Sequence, residues 1–179
     1  MQYFIGIVPP DNYKKRILKF QQKWDNNELF NAVEPHITVK AQGGLTSDKN
    51  WLSKVKKVCK SFSPFHLSIN EPKYFGESVL YLSVASENIY ELHREIVNVV
   101  APDLNLINKY MELDDYVPHL TLGQTNFGLT SNELKDMGNN AVRELSPYPT
   151  FEVNFIRVYK EVETNKYRKH LDIPLKNKS

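Results

Sequence analysis

Two pentapeptides constrain this chain more than anything else in it: Pro35-His36-Ile37-Thr38-Val39 and Pro118-His119-Leu120-Thr121-Leu122. Both read Pro-His-apolar-Thr-apolar, so either a unit has been duplicated or a two-fold site has been selected. The alternation is that of a β-strand, in which residues i and i+2 share a face. His36 therefore projects with Thr38 and His119 with Thr121, while Ile37, Val39, Leu120 and Leu122 point into a core. Proline carries no amide hydrogen, so each strand starts at or beside Pro35 and Pro118.

The flanking sequence repeats the same order of elements. Tyr3 to Val8 is a short strand. Tyr13, Ile17, Phe20 and Trp24 then recur at helical spacing, and the strand with His36 follows. Thr46, Ser47 and Asp48 offer N-caps to a helix with Trp51, Val55, Val58 and Phe62 on one face. Phe65, Leu67 and Ile69 alternate as a strand, with Pro72 weakening its far end or marking a sheet edge. After a turn at Gly76-Glu77-Ser78 the series restarts. Val79 to Ala85 is a strand, and Ser86 caps a helix carrying Ile89, Leu92, Ile96 and Val99. A loop leads to a strand at Val117 to Gln124. Thr130 and Glu133 have capping-box spacing before a helix with Leu134, Met137, Ala141 and Leu145 inward. Phe151 to Val162 reads as one long last strand, with a short return strand near Leu171 to Leu175. These elements predict an α+β protein of two pseudo-two-fold-related lobes, each an antiparallel-type sheet with two helices, around a central cleft. Residues 1–179 form a single bilobal domain, with approximate halves 1–75 and 79–162 and a returning C-terminal segment.

Composition narrows the function. The chain is 41% hydrophobic and 25% charged over 179 residues, a globular balance that needs no disulfide or metal staple. A single cysteine, Cys59, excludes an intramolecular disulfide and a cysteine-rich zinc site. No apolar run reaches the length of a membrane span, and the apolar N-terminus is too short for a signal segment. The reading is a cytoplasmic monomer with no membrane partner. A net charge of +2 permits nucleic acid as substrate without arguing for backbone-dominated binding.

Two imidazoles and two hydroxyls facing one cleft suit phosphodiester chemistry. One group must take a proton from the nucleophile and another must protonate the leaving oxygen, and histidine does either near neutral pH. Threonine hydroxyls can donate to the non-bridging oxygens, where transition-state charge is held. No metal and no cofactor is required. Two histidines with threonines are a poor metal set, and Glu34 is the one acidic neighbour, with no evident geometric claim.

In these motifs, in their separation, in the strand Tyr3 to Val8 and in the late segment Tyr167 to Leu175, the chain resembles the 2H phosphoesterase superfamily, named for two His-x-Thr/Ser (HxTx) motifs. Within it the likeness is to the 2′-5′ RNA ligase and RNA 2′,3′-cyclic phosphodiesterase group. The resemblance implies a bilobal α+β fold and metal-free chemistry on 2′,3′-cyclic phosphates or 2′-5′ linked RNA or nucleotides, in RNA processing. It implies His36 and His119 as the acid/base pair and Thr38 and Thr121 as phosphate-binding hydroxyls. Many relatives place an arginine shortly after the second motif, where this chain has Gly123, Gln124 and Thr125. Lys40 shares the strand parity of His36 and is a candidate substitute cation; a solvated strand end is the plainer alternative. Tyr3 is a candidate for stacking on a base in the cleft, with core packing as its alternative. His66 reads as surface, His93 as structural, Cys59 as core, and Lys54, Lys56, Lys57 and Lys60 as a solvated helix face or a basic rim. Two other functions stay open: an RNA-end binding module without relevant catalysis, and a phosphodiesterase for small cyclic nucleotides.

Overall fold

The computed structural model describes residues 1–177. Its elements are β1 (Tyr3–Ile7), α1 (Asp11–Gln21), the one-turn α2 (Leu29–Ala32), β2 (Ile37–Lys40), α3 (Leu52–Ser61), β3 (Phe65–Phe75), β4 (Val79–Ala85), α4 (Glu87–Val100), α5 (Leu104–Lys109), β5 (His119–Gln124), α6 (Ser131–Glu144), β6 (Thr150–Val153), β7 (Phe155–Glu163) and β8 (Lys166–Pro174). The eight strands run β6-β3-β4-β5-β2-β1-β7-β8 across one sheet, and every neighbouring pair is antiparallel. The sheet divides into two four-stranded halves that meet where β2 lies beside β5. The α+β class and the paired half-sheets agree with the sequence reading, although the two sheets are joined edge to edge.

The helices bury the stripes that their spacing announced. Tyr13, Ile17 and Phe20 of α1, Val55 and Val58 of α3, Ile89, Leu92 and Ile96 of α4, and Leu134, Met137 and Ala141 of α6 all enter one core with the strands. Helices α3 and α4 pack on the half-sheet containing β2 and β8, and α1 and α6 on the half containing β3, β4 and β5. Each long helix that follows a central strand (α1 after β1, α4 after β4) therefore covers the other half. The strands cross over as well: β3 pairs with β4, and β7 pairs with β1. Sequence halves and spatial halves are interleaved.

One local expectation needs correction, and the reading of Pro72 as a sheet edge is met. The segment 151–162 is two strands, because the chain leaves β3 at Val153 and from Phe155 pairs with β8 and, from Arg157, with β1, at opposite sides of the seam. β3 also runs past Pro72 to Phe75: the pairing with β4 shifts register between Ile69 and Pro72, and β6 pairs only with Phe65 to Ser68. The proline thus needs no partner on that side. Among the described residues no helix is long and apolar enough to cross a membrane.

The capping box at α6 forms as its spacing implied, with Thr130 and Glu133 bonding reciprocally. Just before it, Gly128 adopts φ of +96°, and a Cβ there would lie 2.2 Å from the backbone oxygen of Asn26. Neither strain nor clash can be relieved by a side-chain rotation. Gly128→Ala should therefore lower stability by about 2 kcal/mol or more, read as a lower urea midpoint at unchanged m-value.

Candidate active site

The two pentapeptides meet at the seam of the sheet. The residues paired across it are Ile37 and Leu120, and both side chains are fully buried in the core. Carrying this antiparallel ladder one residue either way sets Thr38 opposite His119 and His36 opposite Thr121, all on the other face. In such a ladder diagonal neighbours lie roughly 7–8 Å apart. The histidines occupy one diagonal and the threonines the other. All four line one cavity of about 400 Å³.

Each ring is anchored the same way. His36 Nδ1 lies 2.8 Å from the Glu34 carbonyl and His119 Nδ1 2.7 Å from the Val117 carbonyl. A carbonyl only accepts, so Nδ1 carries the hydrogen, and in the neutral ring Nε2 is left as the free base. The intervening proline explains the recurrence. It confines the residue before it to extended backbone, which presents that residue's carbonyl to the ring. Aromatic rings pack against each imidazole: Phe4 at 4.8 Å and Tyr159 at 5.5 Å for His36, Phe75 at 5.0 Å and Tyr81 at 5.4 Å for His119.

The anchors differ in their support. The Glu34 carboxylate accepts from Lys14 Nζ at 2.9 Å, Arg157 Nη1 at 2.8 Å and the Tyr159 hydroxyl at 2.9 Å. Arg157 is itself clamped by Asp172 through Nε and Nη2. Burial alone would raise the Glu34 pKa, but these hydrogen bonds outweigh it and hold the carboxyl below its usual range. Glu34 thus stays ionised and its backbone stays fixed under His36. The sequence named Glu34 only to dismiss it as a metal ligand. Its position two residues before the histidine, matched by Val117, was the signal for the carbonyl anchor; nothing local announced Arg157 or Tyr159.

Burial, with the neighbouring His119 adding to it, pushes His36 down from 6.5 to about 4. Burial also lowers His119. Both imidazoles are neutral in the free protein near pH 7. His93 has the same tautomer without a free nitrogen: Nδ1 lies 2.6 Å from the Val39 carbonyl, and Nε2 accepts from the Leu113 amide. It is the structural histidine expected.

Two of the candidate substrate contacts lie elsewhere. Lys40 is fully buried, and its ammonium binds Glu112 at 2.7 Å and the Gly43 and Ala41 carbonyls. Its parity was right, but the segment around Glu112 covers that end of β2, so Lys40 is no cation for a phosphate. Tyr3 is also in the core, against Trp51 and His170. Gln124, which follows the second motif, does line the cavity. Cys59 is buried and His66 exposed, as read. Among the described residues no group of three or more His, Cys, Asp or Glu side chains is placed to hold a metal ion.

Comparison with known proteins bears on the family and the fold. A profile of the 2′-5′ RNA ligase superfamily matches residues 9–165. An RNA 2′,3′-cyclic phosphodiesterase of Methanocaldococcus jannaschii is 29% identical over 171 residues, 92% of this chain and 93% of the relative. A putative phosphoesterase of Oceanobacillus iheyensis is 24% identical over 131 residues, 69% of this chain and 71% of that one. Among solved structures, TT0787 of Thermus thermophilus shares the fold at a TM-score of 0.68 and 14% identity, with each chain fully covered. LigT of E. coli, solved with 3′-AMP, does so at 0.62 and 15%, with 98% of each chain covered.

Acid should destabilise this arrangement. The His36 and His93 pKa values are lower in the folded than in the unfolded chain, so both states are neutral above pH 6.5. As pH falls from 6.5 towards 4, the unfolded chain takes up the protons first and stability is lost. The loss from His93 alone approaches roughly 3 kcal/mol as pH falls through about 4. Chemical denaturation of His93→Gln against wild type should show a shallower fall in this window.

Proposed function

Matched over residues 9–165, the chain belongs to the 2′-5′ RNA ligase superfamily, and we propose that it is a metal-independent phosphodiesterase that opens 2′,3′-cyclic phosphates at RNA ends. The observation that carries this is the convergence of His36, Thr38, His119 and Thr121 on one cavity, with Nδ1 of both rings tied to carbonyls. One free Nε2 takes a proton from water as its oxygen bonds to phosphorus. The bond from phosphorus to one ribose oxygen breaks, and that oxygen takes a proton from the other imidazole. Thr38 and Thr121 donate to the non-bridging oxygens, where each well-placed donor is worth about 10²- to 10³-fold. The acid must be protonated although burial lowers both pKa values. The bound phosphate anion supplies the opposite charge that raises them. Attack by a ribose hydroxyl in place of water gives the corresponding transesterification. One chain supplies the whole set, which supports a monomer, and the buried Cys59 thiol suits a cytoplasmic enzyme.

A second reading has an observation of its own. Among the described residues, those lining the cavity include no Lys or Arg, so there is little to track an RNA backbone. This favours recognition of a terminal nucleotide, and it extends to small cyclic nucleotides as substrates.

The test is a panel of 2′,3′-cyclic, 2′-5′ and 3′-5′ substrates assayed in EDTA. His36→Ala and His119→Ala should each lower kcat by about 10²- to 10⁴-fold on the substrate turned over. The acid limb of wild-type kcat/KM should fall below pH 6.5. Near-full turnover by either variant would refute the assignment. RNA-end binding by the double variant, with no wild-type turnover of any substrate, would leave a binding module instead.

A further inference from the structure

The seam between the half-sheets is one residue pair long, Ile37 with Leu120, and a proline stands at each end of what would extend it. Carrying that register two residues either way sets Val39 opposite Pro118 and Leu122 opposite Pro35, and proline has no amide hydrogen to donate. The carbonyls of Val39 and Leu122, each one residue past a motif threonine, accept from buried side chains. His93 Nδ1 lies 2.6 Å from the Val39 oxygen, and Gln21 Nε2 donates to the Leu122 oxygen at 3.1 Å.

The two locks are reciprocal. Gln21 ends α1, which precedes the first motif, yet it holds the strand of the second. His93 lies in α4, which precedes the second motif, yet it holds the strand of the first. Gln21 is 1% and His93 2% exposed. Gln21 is not the side chain that stability alone would choose. Its Oε1 is buried with no hydrogen-bond partner among the described residues, which costs the fold free energy. His93 is steadied from its other side: Nε2 accepts from the Leu113 amide at 2.8 Å, and Tyr116 stacks on the ring at 3.8 Å while its hydroxyl donates to the Thr38 carbonyl at 2.8 Å.

We propose that Gln21 and His93 are positioning residues for the reaction. Each holds the strand backbone beside one phosphate-binding threonine, Gln21 beside Thr121 and His93 beside Thr38, and together they keep the two hydroxyls at the spacing the transition state needs. The proposal rests on the phosphodiesterase reading and adds to it two residues that do not line the cavity of the motifs. A hydroxyl displaced but not removed should cost about 10- to 100-fold, expected here mainly in kcat.

The experiment compares Gln21→Met, His93→Leu and His93→Asn with wild type on a nucleoside 2′,3′-cyclic phosphate, after thermal melting has fixed the temperature at which each is folded. Gln21→Met exchanges one unpartnered buried oxygen for another, so its melting midpoint should stay close to wild type while kcat falls by about 10- to 100-fold at little change in KM. His93→Leu should lose rate likewise. His93→Asn, whose Nδ2 can take the place of Nδ1 against the Val39 carbonyl, should recover most of it. Unchanged kcat in Gln21→Met would overturn the proposal whatever its midpoint, since the amide would then serve only the fold. So would a His93→Asn variant as slow as His93→Leu; where His93→Leu does not fold, Gln21→Met decides. No turnover by wild type is a different result; it removes the phosphodiesterase reading itself, and the positioning role with it.

Discussion

One backbone pairing, Ile37 opposite Leu120, sets the geometry on which the site depends. It joins two half-sheets at their inner strands and fixes register. Because side-chain direction alternates residue by residue, burying these two side chains turns His36, Thr38, His119 and Thr121 to the opposite face together. A slip of one residue would send the imidazoles into the core and the aliphatic chains to water. The hydrophobic demand of Ile37, Val39, Leu120 and Leu122, all fully buried, therefore holds the polar constellation as firmly as any contact within it.

What the seam aligns, the anchors make chemically useful. The carbonyl two residues before each histidine selects one tautomer, and burial lowers both ring pKa values, so the rings are neutral near pH 7. The two sides reach this state differently. His36 rests on a carbonyl whose own residue is locked by Lys14, Arg157 and Tyr159. His119 rests on Val117, at the exposed rim of an apolar hollow. The motif is two-fold, while its surroundings are not.

The sequence made legible what is local. Period-two alternation identified which side chains share the cleft face, helical spacing identified the buried stripes, and Thr130 with Glu133 announced a capping box. What it could not carry was choice of partner. In 151–162 the inward positions change parity between Val153 and Ile156, which marks a break near Asn154, but nothing local names the strand that each piece pairs with. Nothing near β3 or α1 shows that each joins the other half. Lys40 had the correct parity, but its partner Glu112 is 72 residues away. Arg157, which steadies Glu34, is 123 residues away. Tyr3 failed for a related reason: alternation assigns a residue to a face, and only the packing of Trp51 decides that the face is closed.

The central claim is that two neutral imidazoles, each with its hydrogen on Nδ1, flank a single anion site. Side-chain nitrogen NMR of ¹⁵N-histidine-labelled protein at pH 7 addresses it directly. Both His36 and His119 should show the Nδ1–H tautomer, with both Nε2 resonances moving on addition of inorganic phosphate while those of His93 stay in place. An Nε2–H tautomer at either ring, or a response confined to one of the two, would contradict it.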